Sequence, residues 1–125
     1  MVDADVLIEL QRTTPAAMAR AKGMGTDSFQ VPGIAALELV IGSRDKRERE
    51  RASRFLDRLR IVWMSEDDHA QAYELAGTYG LSTGLGLADL LIAAQALNRG
   101  ARLYTFNLKH FGAIRRLNVQ APYER

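Results

Sequence analysis

The chain has 125 residues, of which 47% are hydrophobic and 26% are charged, which is ordinary for a globular protein with one core. It contains no cysteine, which excludes disulfides and cysteine-ligated zinc sites. The formal net charge of +2 is too small to indicate nucleic-acid binding by itself. No apolar run reaches the roughly 18 residues of a membrane span, and no signal-peptide pattern opens the chain. We therefore expect one cytoplasmic domain covering residues 1–125.

The first third of the chain predicts two helices and one strand. Apolar spacing at residues 6–10 is typical of an amphipathic helix, with Asp3 or Asp5 as its N-cap. Only two residues precede Asp3, so either the first strand is very short or the true start lies further upstream. A short helix is predicted at residues 15–22, and a strand at residues 28–31.

The next stretch predicts two helices of opposite character. Residues 34–41 are predicted to form an apolar helix closed by Gly42. Its single charge is Glu38, on the face of Ile34 and Ile41, and we expect this face to point inward. Residues 44–60 form a helix with eight basic and four acidic side chains. Its simplest interpretation is a solvated face with pairs four residues apart. The alternative is a basic stripe that contacts phosphates.

The second half repeats the alternation of strand and helix. Its predicted elements are a strand at 61–64, a helix from a Ser65 capping box to Tyr79, a loop at 80–84, a helix at 85–98 ended by Gly100, a strand at 102–106, a loop at 107–111, a helical turn at 114–116 and a strand at 119–123. This order predicts a three-layer α/β/α domain. Its mainly parallel central sheet has about four or five strands.

One carboxylate stands out in the apolar helix at residues 85–98. Asp89 is the only charge there and shares a helical face with Ile92, Ala93 and Ala96. That face should be buried, and a buried carboxylate is costly unless it is paired, hydrogen-bonded or bound to a metal. Asp89 is therefore either a first-turn residue held by the helix dipole or a member of an acidic cluster.

Several polar residues are placed where they could meet. Asp3 follows the first strand, Asn107 follows the strand at 102–106, and the ends of parallel strands form the functional edge of such sheets. With Glu38 and Asp89 they would form an all-oxygen site suited to Mg²⁺ or Mn²⁺. Without the metal, at least one carboxyl pKa should be raised. Spacing alone leaves this convergence open.

Four blocks of the sequence carry a family resemblance. They are Asp-Ala-Asp-Val-Leu-Ile at residues 3–8, Ala-Leu-Glu-Leu at 36–39, Leu-Ala-Asp-Leu-Leu-Ile-Ala-Ala at 87–94 and Leu-Tyr-Thr-Phe-Asn-Leu-Lys-His-Phe at 103–111. In this order they resemble PIN-domain ribonucleases, and most closely the VapC toxins of toxin–antitoxin pairs. The third and fourth blocks are the specific ones.

The resemblance implies a metal-dependent endonuclease that cuts single-stranded or looped RNA. Asp3, Glu38 and Asp89 match the three acids that hold Mg²⁺ or Mn²⁺ in the family. Asn107 stands where many PIN domains have a fourth acid, so a second metal would be held more weakly. Asp5 matches a position that helps to orient the site.

The same resemblance implies further roles and partners. Thr105 matches a hydroxyl beside the acids, and His110 matches a structural or substrate-facing position. The candidate RNA contacts are Lys109, His110, Arg47 and Arg51. The family's usual partner is a small antitoxin whose C-terminal segment blocks the site, and its usual assembly is a homodimer. The candidate dimer surface consists of the apolar residues Val6, Leu7, Ile8, Leu10, Ile34, Leu37, Val40 and Ile41.

Two other functions remain compatible with the residues. Asp3-Ala4-Asp5-Val6 also fits the opening motif of haloacid-dehalogenase-type phosphatases, in which Asp3 would be the nucleophile. That alternative leaves Glu38 and Asp89 unexplained. The other is a non-catalytic interaction module whose acids bind a structural cation or a basic peptide.

Overall fold

A computed structural model describes residues 1–12 and 30–123 of the chain. The helix predicted at residues 15–22 lies outside the described residues, as does the first half of the strand predicted at 28–31. Among the described residues, no helix combines the length and apolar character needed to cross a membrane.

Helices and short strands alternate along the described chain. The helices are α1 (Ala4–Arg12), α2 (Gly33–Ile41), α3 (Lys46–Leu56), α4 (Glu66–Tyr79), α5 (Leu87–Asn98) and α6 (Leu108–Phe111). The strands are β1 (Gln30–Pro32), β2 (Arg60–Val62), β3 (Leu103–Tyr104) and β4 (Val119–Gln120). The predicted α/β class is confirmed, although the strands are shorter than expected.

The strands form two parallel pairs that the first residues of the chain connect. β1 pairs with β2, and β3 pairs with β4. The Val2 amide donates to the Gln30 carbonyl at 3.0 Å, and the Tyr104 amide donates to the Met1 carbonyl at 2.8 Å. The order across the sheet is therefore β2, β1, residues 1–3, β3 and β4. Residues 1–3 contribute a single β-bridge, between Val2 and Tyr104, and it holds Asp3 at the centre.

Several element ends differ from the predictions for local reasons. The charged helix α3 begins only after Asp45, whose side chain accepts a hydrogen bond from the Glu48 amide at 2.8 Å. α5 begins at Leu87, because Gly84 has a φ of +71° and Gly86 is the N-cap. The loop predicted at 107–111 contains the short helix α6, whereas residues 114–116 form turns rather than a helix.

Part of the predicted dimer surface is instead interior. Val6, Leu7 and Leu10 of α1 are at most 2% exposed, because α1 packs into the core and against α2. The prediction that they are available to a second copy is wrong. On α2, Leu37 and Ile41 are 49% and 78% exposed. The remaining residues of the predicted surface, Ile8, Ile34 and Val40, are half-buried.

An ion pair between the buried Asp68 and the partly exposed Arg99 joins α4 to the end of α5. The Ser65 capping box is confirmed, and Asp68, which completes it, is 1% exposed. The Asp68 carboxylate accepts hydrogen bonds from Arg99 at 2.9 and 3.2 Å, from Asn98 at 3.0 Å and from Gln95 at 3.3 Å. Burial by itself would raise the pKa of Asp68, but these donors and the Ser65 amide bring it well below its ordinary value. This contact fixes the C-terminal end of α5.

Candidate active site

Asp3 lies at the carboxyl end of the central strand and is 6% exposed. Its backbone amide donates to the Tyr104 carbonyl at 2.9 Å. Its Oδ1 accepts from the Ala4 amide at 2.7 Å, and its Oδ2 accepts from the Thr105 hydroxyl at 2.8 Å. The carboxylate is therefore held in one orientation by the start of α1 and the end of β3.

The environment of Asp3 opposes its negative charge. Burial raises its pKa from 3.8 to about 7, and the nearby charge of Asp5 contributes in the same direction. The hydrogen bonds from Thr105 and Ala4 act against this rise, while the charge of Asp89 adds to it. The raised pKa of Asp3 therefore has burial as its main cause, with the neighbouring acids as a second one.

Thr105 connects the acids to the loop that follows β3. The side chain is fully buried, and its hydroxyl lies 3.4 Å from Asp5 Oδ2 as well as 2.8 Å from Asp3 Oδ2. The Thr105 oxygen also accepts a hydrogen bond from the Asn107 amide at 3.0 Å. The Phe106 amide donates to Asp5 Oδ2 at 3.1 Å. Thr105 thus links Asp3 and Asp5 to the loop after β3 in one hydrogen-bond network.

Asn107 and His110 contact each other at the edge of this network. The Asn107 side-chain nitrogen lies 3.2 Å from His110 Nδ1. His110 Nε2 lies 3.7 Å from the place where a Cβ on Gly84 would stand. Lys109, in contrast, is exposed. His110 thus contacts Asn107 and lies beside Gly84, and its structural or substrate-facing role stays a prediction.

Asp89 combines the two roles that the sequence left open. Its Oδ2 accepts a hydrogen bond from the Gly86 amide at 3.3 Å, so it caps the start of α5. Its charge also raises the pKa of both Asp3 and Glu38. The face it was predicted to share is buried, since Ile92, Ala93 and Ala96 are all 0% exposed, but Asp89 itself is only half-buried.

Glu38 lies on the outer side of α2, so its predicted inward orientation is wrong. The buried residues of this helix are Gly33, Ala35, Ala36 and Leu39. An almost wholly apolar helix does not reveal which face packs inward, and the sequence pattern therefore misplaced Glu38. Partial burial and the charge of Asp89 still raise its pKa. Glu38 thus interacts with the acids from their solvent side.

The basic residues predicted to contact RNA divide into two groups. Arg51 of α3 lines a groove of about 670 Å³ together with Glu38. Arg47 is exposed on the same helix but is not among the residues that line this groove.

Oxygen ligands dominate this site. Among the residues that the structure describes, no three acidic or histidine side chains are close enough together to hold a metal ion in the present conformation. The chemistry of the donors nevertheless fits a hard divalent cation, because they are carboxylate, hydroxyl and amide oxygens. Burial is the main cause of the raised pKa values of Asp3 and Glu38, and the charges of neighbouring acids, which such a cation would neutralise, add to it.

Comparison with known proteins identifies the family. The PIN domain family model matches residues 1–117, so the chain belongs to the PIN domain family of nucleases. Nucleases of this family generally use divalent metal ions. No curated protein sequence matches the chain. Because the chain belongs to the PIN domain family, the alternative of a phosphatase with Asp3 as its nucleophile is no longer supported.

Similar solved structures come from toxin–antitoxin complexes. A chain of a toxin–antitoxin complex from Klebsiella pneumoniae is 25% identical with a TM-score of 0.80, and the match covers 99% of this chain and 98% of that one. A chain of VapBC2 from Rickettsia felis, bound to a promoter DNA fragment, is 24% identical with a TM-score of 0.83 and the same coverage. A chain of DNA-bound VapBC from Salmonella typhimurium is 21% identical with a TM-score of 0.86, covering 98% and 97%.

Proposed function

We propose that this protein is a metal-dependent endoribonuclease that cuts single-stranded or looped RNA and acts as the toxin of a toxin–antitoxin pair. The observation that carries the proposal is the environment of Asp3. This buried carboxyl group is oriented by two hydrogen bonds, and its pKa is raised to about 7 beside the charges of Asp5 and Asp89. In a PIN fold, such an acid is suited to metal-assisted phosphodiester hydrolysis.

Three acids would hold the metal, which we propose to be Mg²⁺ or Mn²⁺. Asp3 provides a fixed carboxylate from the central strand, Asp89 provides one from the start of α5, and Glu38 provides one from the solvent side. A bound divalent ion supplies an acidified water and stabilises charge on the phosphodiester. Thr105 keeps Asp3 oriented by donating to its Oδ2. Asn107 is neutral and would attract a second cation less than an acid does.

The proposed function also implies two protein partners, a cognate antitoxin and a second copy of the chain. The similar chains come from toxin–antitoxin complexes, which supports a small cognate antitoxin as the partner of this chain. We propose that a segment of that antitoxin blocks access to Asp3, Glu38 and Asp89. We also propose a homodimer, formed through the exposed side of α2.

Replacing Asp89 with Asn tests the catalytic part of the proposal. We expect Asp89→Asn to lower the rate of RNA cleavage by several orders of magnitude, because the change removes a metal-binding charge with little change in volume. Cleavage of a labelled single-stranded and a labelled hairpin RNA is measured with Mg²⁺, with Mn²⁺ and with EDTA. Asp67→Asn is the matched control, since Asp67 is an exposed acid in the first turn of α4.

Two outcomes would contradict the catalytic proposal. One is cleavage by Asp89→Asn at nearly the wild-type rate. The other is wild-type protein that binds RNA but does not cleave it with either metal, which would favour the non-catalytic interaction module.

The homodimer is tested on the exposed part of α2. Ile41 is 78% exposed and lies one helical turn from Leu37, which is 49% exposed. We expect the wild type to be a dimer at micromolar concentration in light scattering and Ile41→Glu to be a monomer, because a buried charge opposes association. Leu81→Glu changes an even more exposed residue outside α2 and should leave the dimer intact. A monomeric wild type would contradict this proposal.

A further inference from the structure

A groove of about 670 Å³ extends from Glu38 between three helices. Ile8 and Arg12 of α1 line one side, and Arg51 of α3 lines another. Leu39 of α2 contributes an apolar surface. Glu38 is one of the three candidate metal-binding acids and lines the groove, so the groove begins at the candidate active site.

The charged residues of this groove are more positive than negative. Arg12, Arg44 and Arg51 line it together with Glu38 and Glu48. Arg44 is already paired, since its guanidinium donates hydrogen bonds to Glu48 at 2.8 and 3.0 Å. Neither Arg12 nor Arg51 forms an ion pair with any residue that the structure describes, although the charge of Arg12 helps to lower the pKa of Glu48 across the groove. Two guanidinium groups are thus available to an anionic ligand.

The acids of the candidate site repel an anionic strand, so guanidinium groups nearby would favour its binding. A polymer whose backbone carries one negative charge per nucleotide must approach a cluster of carboxylates, and like charges repel. Guanidinium groups beside the cluster offset this repulsion, because arginine binds phosphate oxygens through two parallel hydrogen bonds. Unpaired arginines in a groove that begins at Glu38 therefore favour an anionic strand as its occupant.

We propose that this groove holds the phosphate backbone of the RNA next to the bond that is cut, with Arg12 and Arg51 contacting phosphates. The proposal rests on the proposed ribonuclease function and assigns a path to its substrate. Contacts to phosphates position a strand without reading its sequence. Arg12 and Arg51 are therefore substrate-binding residues that do not determine which sequence is cut.

Arg47 provides a matched control for Arg51. Both are exposed arginines on α3, and both lose the same charge on replacement, but only Arg51 lines the groove.

Binding of a fluorescein-labelled single-stranded RNA is measured by anisotropy in EDTA at several salt concentrations. We expect Arg51→Gln to weaken binding and to reduce the slope of log affinity against log salt by about 0.7, the value for one lost phosphate contact to a single strand. Arg12→Gln together with Arg51→Gln should reduce it by about 1.4. Arg47→Gln should leave the slope unchanged.

The outcomes separate this proposal from the proposed function. Equal losses in Arg47→Gln and Arg51→Gln would show diffuse attraction to α3 and overturn the groove as the RNA path. Unchanged RNA binding by the double variant, with weakened binding of the cognate antitoxin, would assign the groove to a protein and also overturn it. In both cases metal-dependent cleavage by the wild type would leave the ribonuclease intact. A folded wild type that neither binds nor cleaves RNA would instead overturn the proposed function. Thermal melts of each variant verify that it is folded.

Discussion

Asp3→Asn is expected to abolish RNA cleavage while making the metal-free protein more stable above pH 7. The folded-state pKa of Asp3 is about 7, whereas its ordinary value is 3.8. A carboxyl group with a raised pKa contributes stability that is fully present below its unfolded pKa and is lost as pH rises through its folded pKa. The wild type should therefore lose stability between about pH 4 and pH 7, and Asp3→Asn should not show this loss.

The hydrogen bonds of Asp3 survive the substitution. The Asn side chain retains an oxygen for the Ala4 amide, and the Thr105 hydroxyl can turn toward Asp5 Oδ2, 3.4 Å away. At pH 8 the gain in the free energy of unfolding should be about 2–4 kcal/mol, from a shift of about 3 pKa units at 1.36 kcal/mol each, less losses from relaxation.

Urea denaturation in EDTA from pH 4 to pH 8 measures this difference, with Asp67→Asn as the control. In Mg²⁺ the wild type should become the more stable of the two proteins, because only its ionised Asp3 gains stability from the bound cation. A variant that is less stable than the wild type at pH 8 in EDTA would show that Asp3 serves the fold rather than the metal.

The sequence predicted the acids because their local patterns are strong. Asp89 is the single charge of an apolar helix whose neighbours Ile92 and Ala93 proved to be fully buried. Asp3 precedes a helix with clear apolar spacing, and in the structure it directly follows Val2, which forms an isolated β-bridge with Tyr104. These features depend on residues a few positions apart, which periodicity can reveal.

Features that depend on distant residues were not predictable in this way. The Asp68–Arg99 pair joins residues separated by 31 positions, and nothing near either residue indicates its partner. The selection of Arg51 over Arg47 depends on how α3 packs against α1 and α2, which no local pattern gives. The misplaced face of α2 has the same origin, since an apolar helix without polar alternation can pack by more than one side.

Asp68 offers the opposite test to Asp3, because it is a buried acid whose charge stabilises the fold. We expect Asp68→Asn to lower the free energy of unfolding at pH 7 by about 1–3 kcal/mol, since the buried carboxylate that accepts from Arg99, Asn98 and Gln95 becomes a neutral amide. The pKa of Asp68 lies below its ordinary value. Its stabilisation is therefore present above pH 4 or so, and it is lost as pH falls through the folded pKa, which is the reverse of Asp3.

Cleavage by the folded fraction of Asp68→Asn should equal that of the wild type. Asp68 contacts Asn98 and Arg99 at the C-terminal end of α5, about 14 Å along the helix from Asp89. Urea denaturation and RNA cleavage are measured together, and Arg99→Gln with the double variant completes a thermodynamic cycle. In the Asp68→Asn background, Arg99→Gln should lower the free energy of unfolding only slightly, because the two side chains act as a pair. Additive losses would show that other donors hold Asp68, and lost cleavage in a stable Asp68→Asn protein would extend the catalytic site to this end of α5.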